Sequence, residues 1–171
     1  MKDITLRPAT LDDTAAIVAL NEAVVAVTSP MDAAGFAALF AIAAQCDVVE
    51  RGGTVIGFIL AMDHTAAYAN GNFRWFADRL NRFTYIDRVV IADRARGLGL
   101  GSVLYDRLGD AARRRGSLIL AAEMDLEPAN PGSLRFHARR GFVQLGTRTL
   151  ASGKIVSMQV SGQITGQATG S

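Results

Sequence analysis

The alternation of hydrophobic and polar positions predicts short strands and helices that follow one another along the chain. Residues 3 to 7 alternate between polar and apolar side chains, which is typical of a half-exposed strand. Apolar residues then recur at helical spacing to about Ala26, and Thr10 with Asp13 forms an approximate capping box at the start of this helix. Asp32 stands where it would cap a second, largely apolar helix.

The middle of the chain combines a hairpin, an irregular segment and a buried strand. Two strands, 47–50 and 54–62, are predicted on either side of Arg51-Gly52-Gly53, because glycine permits the positive φ angles of a tight turn. Residues 63–82 have no clear period and are rich in aromatic side chains, so we expect a loop with a short helix over 73–81. The apolar run at 85–91 predicts a buried strand, interrupted by Asp87 and Arg88.

The second half of the chain alternates between helices and strands. The pattern predicts a helix over 100–115 that stops at Gly116, a strand over 118–122, a helix over 133–140, and strands over 142–149 and 154–160. The predicted order, β-α-α-β-β-α-β-α-β-α-β-β, gives an α/β mixed sheet flanked by helices. We therefore expect one domain over residues 1–160 and a polar C-terminal tail over 161–171.

Composition narrows the class of protein. Half of the residues are hydrophobic and only 20% are charged, which excludes a disordered chain, and the formal net charge of +2 is too small to indicate a nucleic-acid surface. The longest uncharged apolar stretch, 33–44, is shorter than the ~20 residues of a membrane span. Cys46 is the only cysteine, and the start of the chain has no signal-peptide pattern. We expect a cytoplasmic protein with neither nucleic acid nor membrane as its partner.

The most informative segment is a glycine-rich loop between a predicted strand and a predicted helix. Glycine at alternate positions lets the backbone approach a ligand, and the helix that starts here adds its partial positive charge, so the loop suits a phosphate or pyrophosphate. Its residues are Arg96, Gly97, Leu98, Gly99, Leu100, Gly101 and Ser102. Three alternatives stay open. The loop could bind a dinucleotide, with Glu123 near the ribose-binding position, or it could be a Walker-type nucleotide loop, although it lacks the lysine of that motif. The third alternative is a connector that binds no ligand.

Two blocks of sequence resemble the GNAT superfamily of N-acetyltransferases. Arg96, Gly99 and Gly101 fit its motif Arg/Gln-x-x-Gly-x-Gly/Ala, which lies between the fourth strand and the third helix. Downstream, Asn130 and the segment 136–142 resemble the family's Asn…Tyr…Gly-Phe block. The blocks occur in the right order, and the predicted elements follow the family's order from about residue 3 to residue 160.

The resemblance implies a GNAT fold, with a mostly antiparallel seven-stranded sheet and about four helices, and acetyl-CoA as the cofactor. Backbone amides of residues 98–102 would bind the coenzyme A pyrophosphate. The strand edge at Val89, Val90 and Ile91 would bind the pantetheine arm, and the N–H of Val89 would polarise the thioester carbonyl where the fourth and fifth strands splay apart. Asn130 would contact the cofactor arm or orient the loop after the fifth strand.

Three side chains are candidates for proton transfer. His137 stands where many family members carry tyrosine and is the first candidate for the acid, with a histidine packed near a helix end as the alternative. Asp87 is the leading candidate for the base, although a structural salt bridge would also explain a carboxylate in this strand. If the strand is regular, Arg88 points to the other face and need not be the partner in such a salt bridge. Glu123, which shares a face with Asp125, is a candidate to bind a cationic amine or relay its proton, and solvation at the sheet edge is the alternative.

Two histidines and one cysteine give no spacing for a metal site.

These observations lead to one function hypothesis with two alternatives. The first is acetyl transfer from acetyl-CoA to the primary amine of a small molecule, with an amino-acid-like compound as one candidate. Direct transfer in a ternary complex is expected, because Cys46 lies outside both blocks. The alternatives are a protein acetyltransferase acting on a lysine or an N-terminus, and a non-catalytic acyl-CoA-binding module. Dimers are frequent in the superfamily, so the resemblance also suggests a homodimer.

Overall fold

The computed structural model describes residues 3 to 162, which form one seven-stranded sheet and five helices. The strands are β1 (Ile4–Pro8), β2 (Gln45–Arg51), β3 (Thr54–Asp63), β4 (Thr84–Ile91), β5 (Ile119–Glu127), β6 (Val143–Thr149) and β7 (Ile155–Gly162). The helices are α1 (Thr14–Glu22), α2 (Ala33–Ile42), α3 (Gly71–Ala77), α4 (Leu100–Arg114) and α5 (Pro131–Arg139). The strand order is β1-β2-β3-β4-β5-β7-β6, and every neighbouring pair is antiparallel except β4 and β5. The predicted mixed, mostly antiparallel sheet is confirmed.

Local signals placed most of the element boundaries correctly. The Asp32 carboxylate accepts the backbone N–H of Gly35 at 2.7 Å and caps α2 as predicted. The hairpin turn between β2 and β3 has φ angles of +55° at Gly52 and +77° at Gly53. By contrast, α1 ends at Glu22 and not at about Ala26, since the following residues form turns. The short helix α3 begins at Gly71, earlier than predicted, because the Asn70 side chain accepts two backbone N–H groups there.

The sheet separates two hydrophobic layers. Helices α1, α2 and α3 cover one face, where Ile17, Phe36 and Phe76 are fully buried. Helices α4 and α5 cover the other face, where Leu104 and Leu108 of α4 point into the sheet. None of the helices among residues 3–162 has the length and apolar character needed to cross a bilayer.

The fifth and seventh strands are longer than the sequence pattern predicted. Strand β5 runs to Glu127 and not to residue 122, because its pairing with β7 continues past the polar positions Glu123 and Asp125. Strand β7 runs to Gly162, two residues beyond the predicted end of the domain. The rest of the predicted polar tail, residues 163–171, lies outside the described residues.

Candidate active site

A gap opens between the two parallel strands in the centre of the sheet. Strands β4 and β5 pair only at Thr84 with Leu120 and at Tyr85 with Ala121. On the opposite edge of β4, the register with β3 shifts so that Asp87 has no partner residue, which makes it the extra residue of a β-bulge. A bulge bends and twists its strand, which accounts for the separation of β4 from β5 beyond Tyr85. One edge of residues 87–91, including Val89, Val90 and Ile91, therefore has no paired strand within the described chain.

The bulge also corrects the expectation that Asp87 and Arg88 lie on opposite faces. Because the extra residue interrupts the alternation, both side chains turn to the same side, and Arg88 Nε pairs with Asp87 Oδ2 at 2.7 Å. Arg88 also donates to the Asn21 side chain at 2.9 Å and to the Ser29 carbonyl at 3.2 Å. This arginine thus fastens α1 and the segment after it to the centre of the sheet.

Asp87 is held by a second partner from the irregular segment before α3. The Tyr68 hydroxyl donates to Asp87 Oδ1, and burial together with this carboxylate raises the pKa of Tyr68. The Asp87 side chain is only 4% exposed, so its charge is balanced by Arg88 and shielded from solvent. These bonds favour the structural alternative for Asp87 over the role of base.

Glu123 has the environment of a proton acceptor. The Tyr85 hydroxyl donates its single proton in a bifurcated hydrogen bond to both carboxylate oxygens, at 3.0 and 2.8 Å. Burial raises the pKa of Glu123 from 4.5 to about 7, although the hydrogen bonds from Tyr85 and Asn72 oppose this rise. The residue nevertheless stays partly exposed. A carboxylate of this kind can take and release a proton near neutral pH.

Asp125 lies on the same face as Glu123, as predicted, but its charge is already paired. Lys154 Nζ lies 3.0 Å from Asp125 Oδ2. Glu123 is therefore the carboxylate on this stretch of β5 that no cation neutralises among residues 3–162.

The glycine-rich loop presents free backbone amides at the start of α4. Gly97 has a φ of +79° and Gly99 one of +74°, so both use the left-handed region that other residues avoid. The first backbone hydrogen bond of the helix runs from Val103 to the Gly99 carbonyl at 3.2 Å. The backbone N–H groups of residues 98–102 have no hydrogen-bond acceptor within the described chain, so they remain available to bind an anion.

The side chains of the loop leave this amide surface open. Arg96 is 66% exposed and pairs with Asp93 at 2.9 Å, while Leu98 points to solvent and Leu100 into the core. A Cβ at Gly101 would touch the Phe136 ring at 3.4 Å. The loop, the free amides and the helix start together suit a phosphate or pyrophosphate, and Ser102 belongs to the same first turn.

Asn130 orients the segment that follows β5. Its side chain accepts the Ser133 N–H at 3.2 Å and caps α5, while its backbone N–H donates to the Asp125 carbonyl at 3.1 Å. The second of its two expected roles, orientation of this loop, agrees with these bonds. Contact with the cofactor arm stays a prediction.

His137 lies in a buried aromatic cluster, with both ring nitrogens engaged. Nδ1 lies 2.8 Å from the Ser133 carbonyl, and Nε2 lies 2.7 Å from the Tyr105 hydroxyl. Because a carbonyl only accepts, Nδ1 carries the proton and Nε2 accepts from Tyr105. Burial lowers the pKa of His137, so the ring is neutral near pH 7. These contacts favour the packing alternative, and the role of acid stays a prediction.

We expect His137→Ala to act mainly on stability. Removing a side chain that is 5% exposed and leaving the Tyr105 hydroxyl without its acceptor should lower the free energy of unfolding by about 2–4 kcal/mol. Acetyl transfer per folded molecule should change by less than about tenfold, below the range expected for loss of a general acid. Urea unfolding and initial rates at a temperature where both proteins are folded test this. A rate loss of about 100-fold or more with normal stability would instead support the acid role.

Several residues at the gap were missed in the sequence, and only Tyr85 among them carried a recognisable signal. Tyr85 shares a strand face with Asp87, so strand periodicity alone could have drawn attention to it. Tyr68 and Asn72 come from the irregular segment, and Arg148 comes from a strand far along the chain. Only the folded structure brings Tyr68 to Asp87 and Arg148 to Asn72. Phe73 and Phe76, from the same aromatic-rich segment, are buried core residues.

The described residues support neither a metal site nor a nucleophilic cysteine. Among residues 3–162, no three His, Cys, Asp or Glu side chains come together in a group that could hold a metal ion. Cys46 lies on β2, and burial raises the pKa of its thiol to about 12, so it is a poor nucleophile.

Comparison with known proteins shows the family and the fold. The family model described as "Acetyltransferase (GNAT) family" matches residues 27–142, more than half of the chain. Ard1 from Thermoplasma volcanium shares 18% identity at a TM-score of 0.76, with 94% of this chain and 97% of that one covered. The yncA protein of Salmonella typhimurium, solved with its cofactor acetyl-CoA, shares 23% identity at a TM-score of 0.70, with 99% of both chains covered.

A third similar structure is that of an enzyme whose name gives a protein as its substrate. The ribosomal-protein-S18-alanine N-acetyltransferase from Escherichia coli shares 13% identity at a TM-score of 0.70, with 98% of this chain and 96% of that one covered. These identities show a common fold. Among curated proteins no sequence matches this one.

Proposed function

The chain belongs to the acetyltransferase (GNAT) family, whose cofactor is acetyl-CoA, and from this premise we propose that it transfers an acetyl group directly to the primary amine of a small molecule. The observation that carries the proposal is Glu123, a carboxylate with a pKa of about 7 at the gap between β4 and β5. An alkylammonium must lose a proton before it can attack a thioester, and this carboxylate is suited to accept it.

Each part of the site has a proposed task. The amides of residues 98–102 hold the pyrophosphate, and the open edge of β4 at Val89 to Ile91 binds the pantetheine arm. Acetyl-CoA, when bound, supplies an activated acetyl thioester. Glu123 removes a proton from the acceptor ammonium, and Tyr85 keeps the carboxylate oriented through its bifurcated hydrogen bond. The N–H of Val89 is the proposed donor to the thioester carbonyl.

Direct transfer is supported by the cysteine content and by the chemistry of the leaving group. Cys46, the one cysteine of the chain, is buried and protonated, so it is a poor covalent carrier of the acetyl group. Because an ordinary thiol has a pKa of about 8.5, the departing thiolate needs only modest help from an acid. His137 remains the candidate for that help, and its variant described above decides the point.

The two alternatives make different predictions about the acceptor. A protein acetyltransferase would acetylate peptides better than free amines, and the ribosomal-protein enzyme from Escherichia coli is one of several similar structures whose names favour this alternative. A non-catalytic acyl-CoA-binding module would bind coenzyme A without turnover. The partly exposed Glu123 with its pKa near neutrality favours catalysis over the second alternative.

The test is thiol release from acetyl-CoA with purified protein and a panel of amino acids, polyamines, aminoglycosides and short peptides. We expect release well above the hydrolysis background with one class of small amine. Peptides as the best acceptors would favour the protein acetyltransferase. No release with any amine, combined with a higher melting temperature in coenzyme A, would favour the binding module.

The proposed homodimer would use an edge of the sheet. Strand β6 lies at one end of the strand order, and it exposes Val143 by 52% and Leu145 by 41%. An unpaired edge with exposed apolar side chains is suited to pairing with a second copy. Molar mass in solution distinguishes a dimer from a monomer.

A further inference from the structure

The charged side chains around the gap cancel in pairs except for one acid and one base. The two ion pairs are Asp87 with Arg88 at 2.7 Å and Asp125 with Lys154 at 3.0 Å. Glu123 and Arg148 remain, and no carboxylate of residues 3–162 forms an ion pair with Arg148. Arginine is always charged, and a partly buried guanidinium usually has an anionic partner.

The Arg148 guanidinium lies next to the residues that hold Glu123. Arg148 extends from β6 over the start of α3, where Nη1 donates to Asn72 Oδ1. A Cβ at Gly71 would lie 3.0 Å from Nη2, so glycine is what lets the guanidinium pack against this backbone. Asn72 also influences Glu123, since its side chain lowers the pKa of that carboxyl. The strand register places Arg148 opposite Val156 and Val156 opposite Asp125, so Arg148 lies on the face of the sheet that carries Glu123.

We propose that Arg148 binds the carboxylate of the acceptor, and that the acceptor is a free α-amino acid whose ammonium group meets Glu123. This inference rests on the proposed acetyl transfer and names its substrate class. The guanidinium has five N–H donors, of which one is used by Asn72, so a pair remains for a carboxylate.

The same charges disfavour the other acceptors. A polyamine would place a second positive charge beside Arg148, and the N-terminus of a peptide has no α-carboxylate to offer it. A zwitterion neutralises both groups at once, which lowers the desolvation cost of binding in a partly buried site.

The experiment compares free amino acids with their own carboxamides. Leucine, methionine and phenylalanine are each assayed as the acid and as the amide, and kcat/KM is measured by thiol release. For the best side chain, we expect the acid to react about 10–100-fold better than the amide, the range for a paired charge-assisted contact. In Arg148→Met this ratio should fall close to one, and Arg148→Lys should restore part of it, since lysine keeps the charge without the paired geometry.

Arg74→Met is the matched control, since Arg74 is an exposed arginine on α3. It should keep the acid-to-amide ratio, and melting temperatures should show that all variants are folded. Equal rates for acids and amides in the unaltered protein would overturn this inference and leave acetyl transfer to amines standing. An equal loss for acids and amides in Arg148→Met would assign Arg148 a structural role only. No turnover with any acid, amide or peptide would overturn the proposed function itself and the inference with it.

Discussion

Glu123→Gln is expected to lower kcat/KM for acetyl transfer by about 10²–10⁴-fold, the range for loss of a general base. Glutamine keeps the size of the side chain and an oxygen that can accept the Tyr85 hydroxyl, so the pocket should retain its shape. It has no basic oxygen to take the proton from the acceptor. Coenzyme A binding should therefore stay intact while turnover is lost.

The pH dependence of the unaltered enzyme should report the same group. Since burial raises the pKa of Glu123 to about 7, kcat/KM should rise with pH through about 7 as the carboxylate ionises. In Glu123→Gln this step should disappear, and the residual rate should follow only deprotonation of the free amine. Initial rates of thiol release between pH 5.5 and 9, a range of about four pH units, measure both profiles.

The same substitution should stabilise the folded protein at alkaline pH. A folded-state pKa above the ordinary value means that the folded protein binds the proton more tightly than the unfolded chain does. The free energy of unfolding of the unaltered protein should therefore fall as the pH rises from about 4.5 to about 7. Glutamine does not titrate, so its advantage should grow over this window to at most about 3 kcal/mol. Urea unfolding at pH 5 and pH 8, a difference of about three pH units, measures it.

Glu127→Gln is the control for these measurements, because it makes the same chemical change at an exposed position of the same strand. It should leave the rate and its pH profile unchanged. A Glu123→Gln enzyme that keeps activity within tenfold of the unaltered protein would contradict the proposed role and return Asp87 as the candidate base.

Gly99→Val is expected to weaken coenzyme A binding by about 100-fold or more. Gly99 has a φ of +74°, and a β-branched residue pays about 1–2 kcal/mol to hold that conformation or else turns the loop away from it. Turning the loop redirects the free amides of residues 98–102, and each hydrogen bond to a charged phosphate contributes about 1.5–3 kcal/mol. Calorimetric titration with coenzyme A measures the change, and the thermal shift on adding the ligand should vanish.

Gly153→Val separates loss of binding from general strain. Gly153 has a φ of +85° in the turn between β6 and β7, and, as at Gly99, no heavy atom would lie within 4 Å of an added Cβ. The Gly153→Val protein should lose about as much stability as Gly99→Val and should keep its affinity for coenzyme A. Equal affinities of Gly99→Val and the unaltered protein would contradict the assignment of the loop as the pyrophosphate site.

The sequence by itself determined the elements that depend on near neighbours. The Asp32 cap, the Gly52-Gly53 turn and the glycine-rich loop are set by interactions within a few residues, and all three are present in the structure. Two motif blocks in the right order were sufficient to predict the fold and the cofactor.

Only the tertiary structure decided which of the acidic residues is a free carboxylate. The bulge at Asp87 depends on the register between β3 and β4, and this register turns Asp87 and Arg88 to one side as an ion pair. Glu123 acquires its neutral-range pKa from burial, and Tyr85 and Asn72, which oppose the rise, also lie far away along the chain. Strand periodicity gives the face on which a side chain lies. The partner of that side chain, and hence its charge, follows from strand pairing and helix packing over long sequence distances.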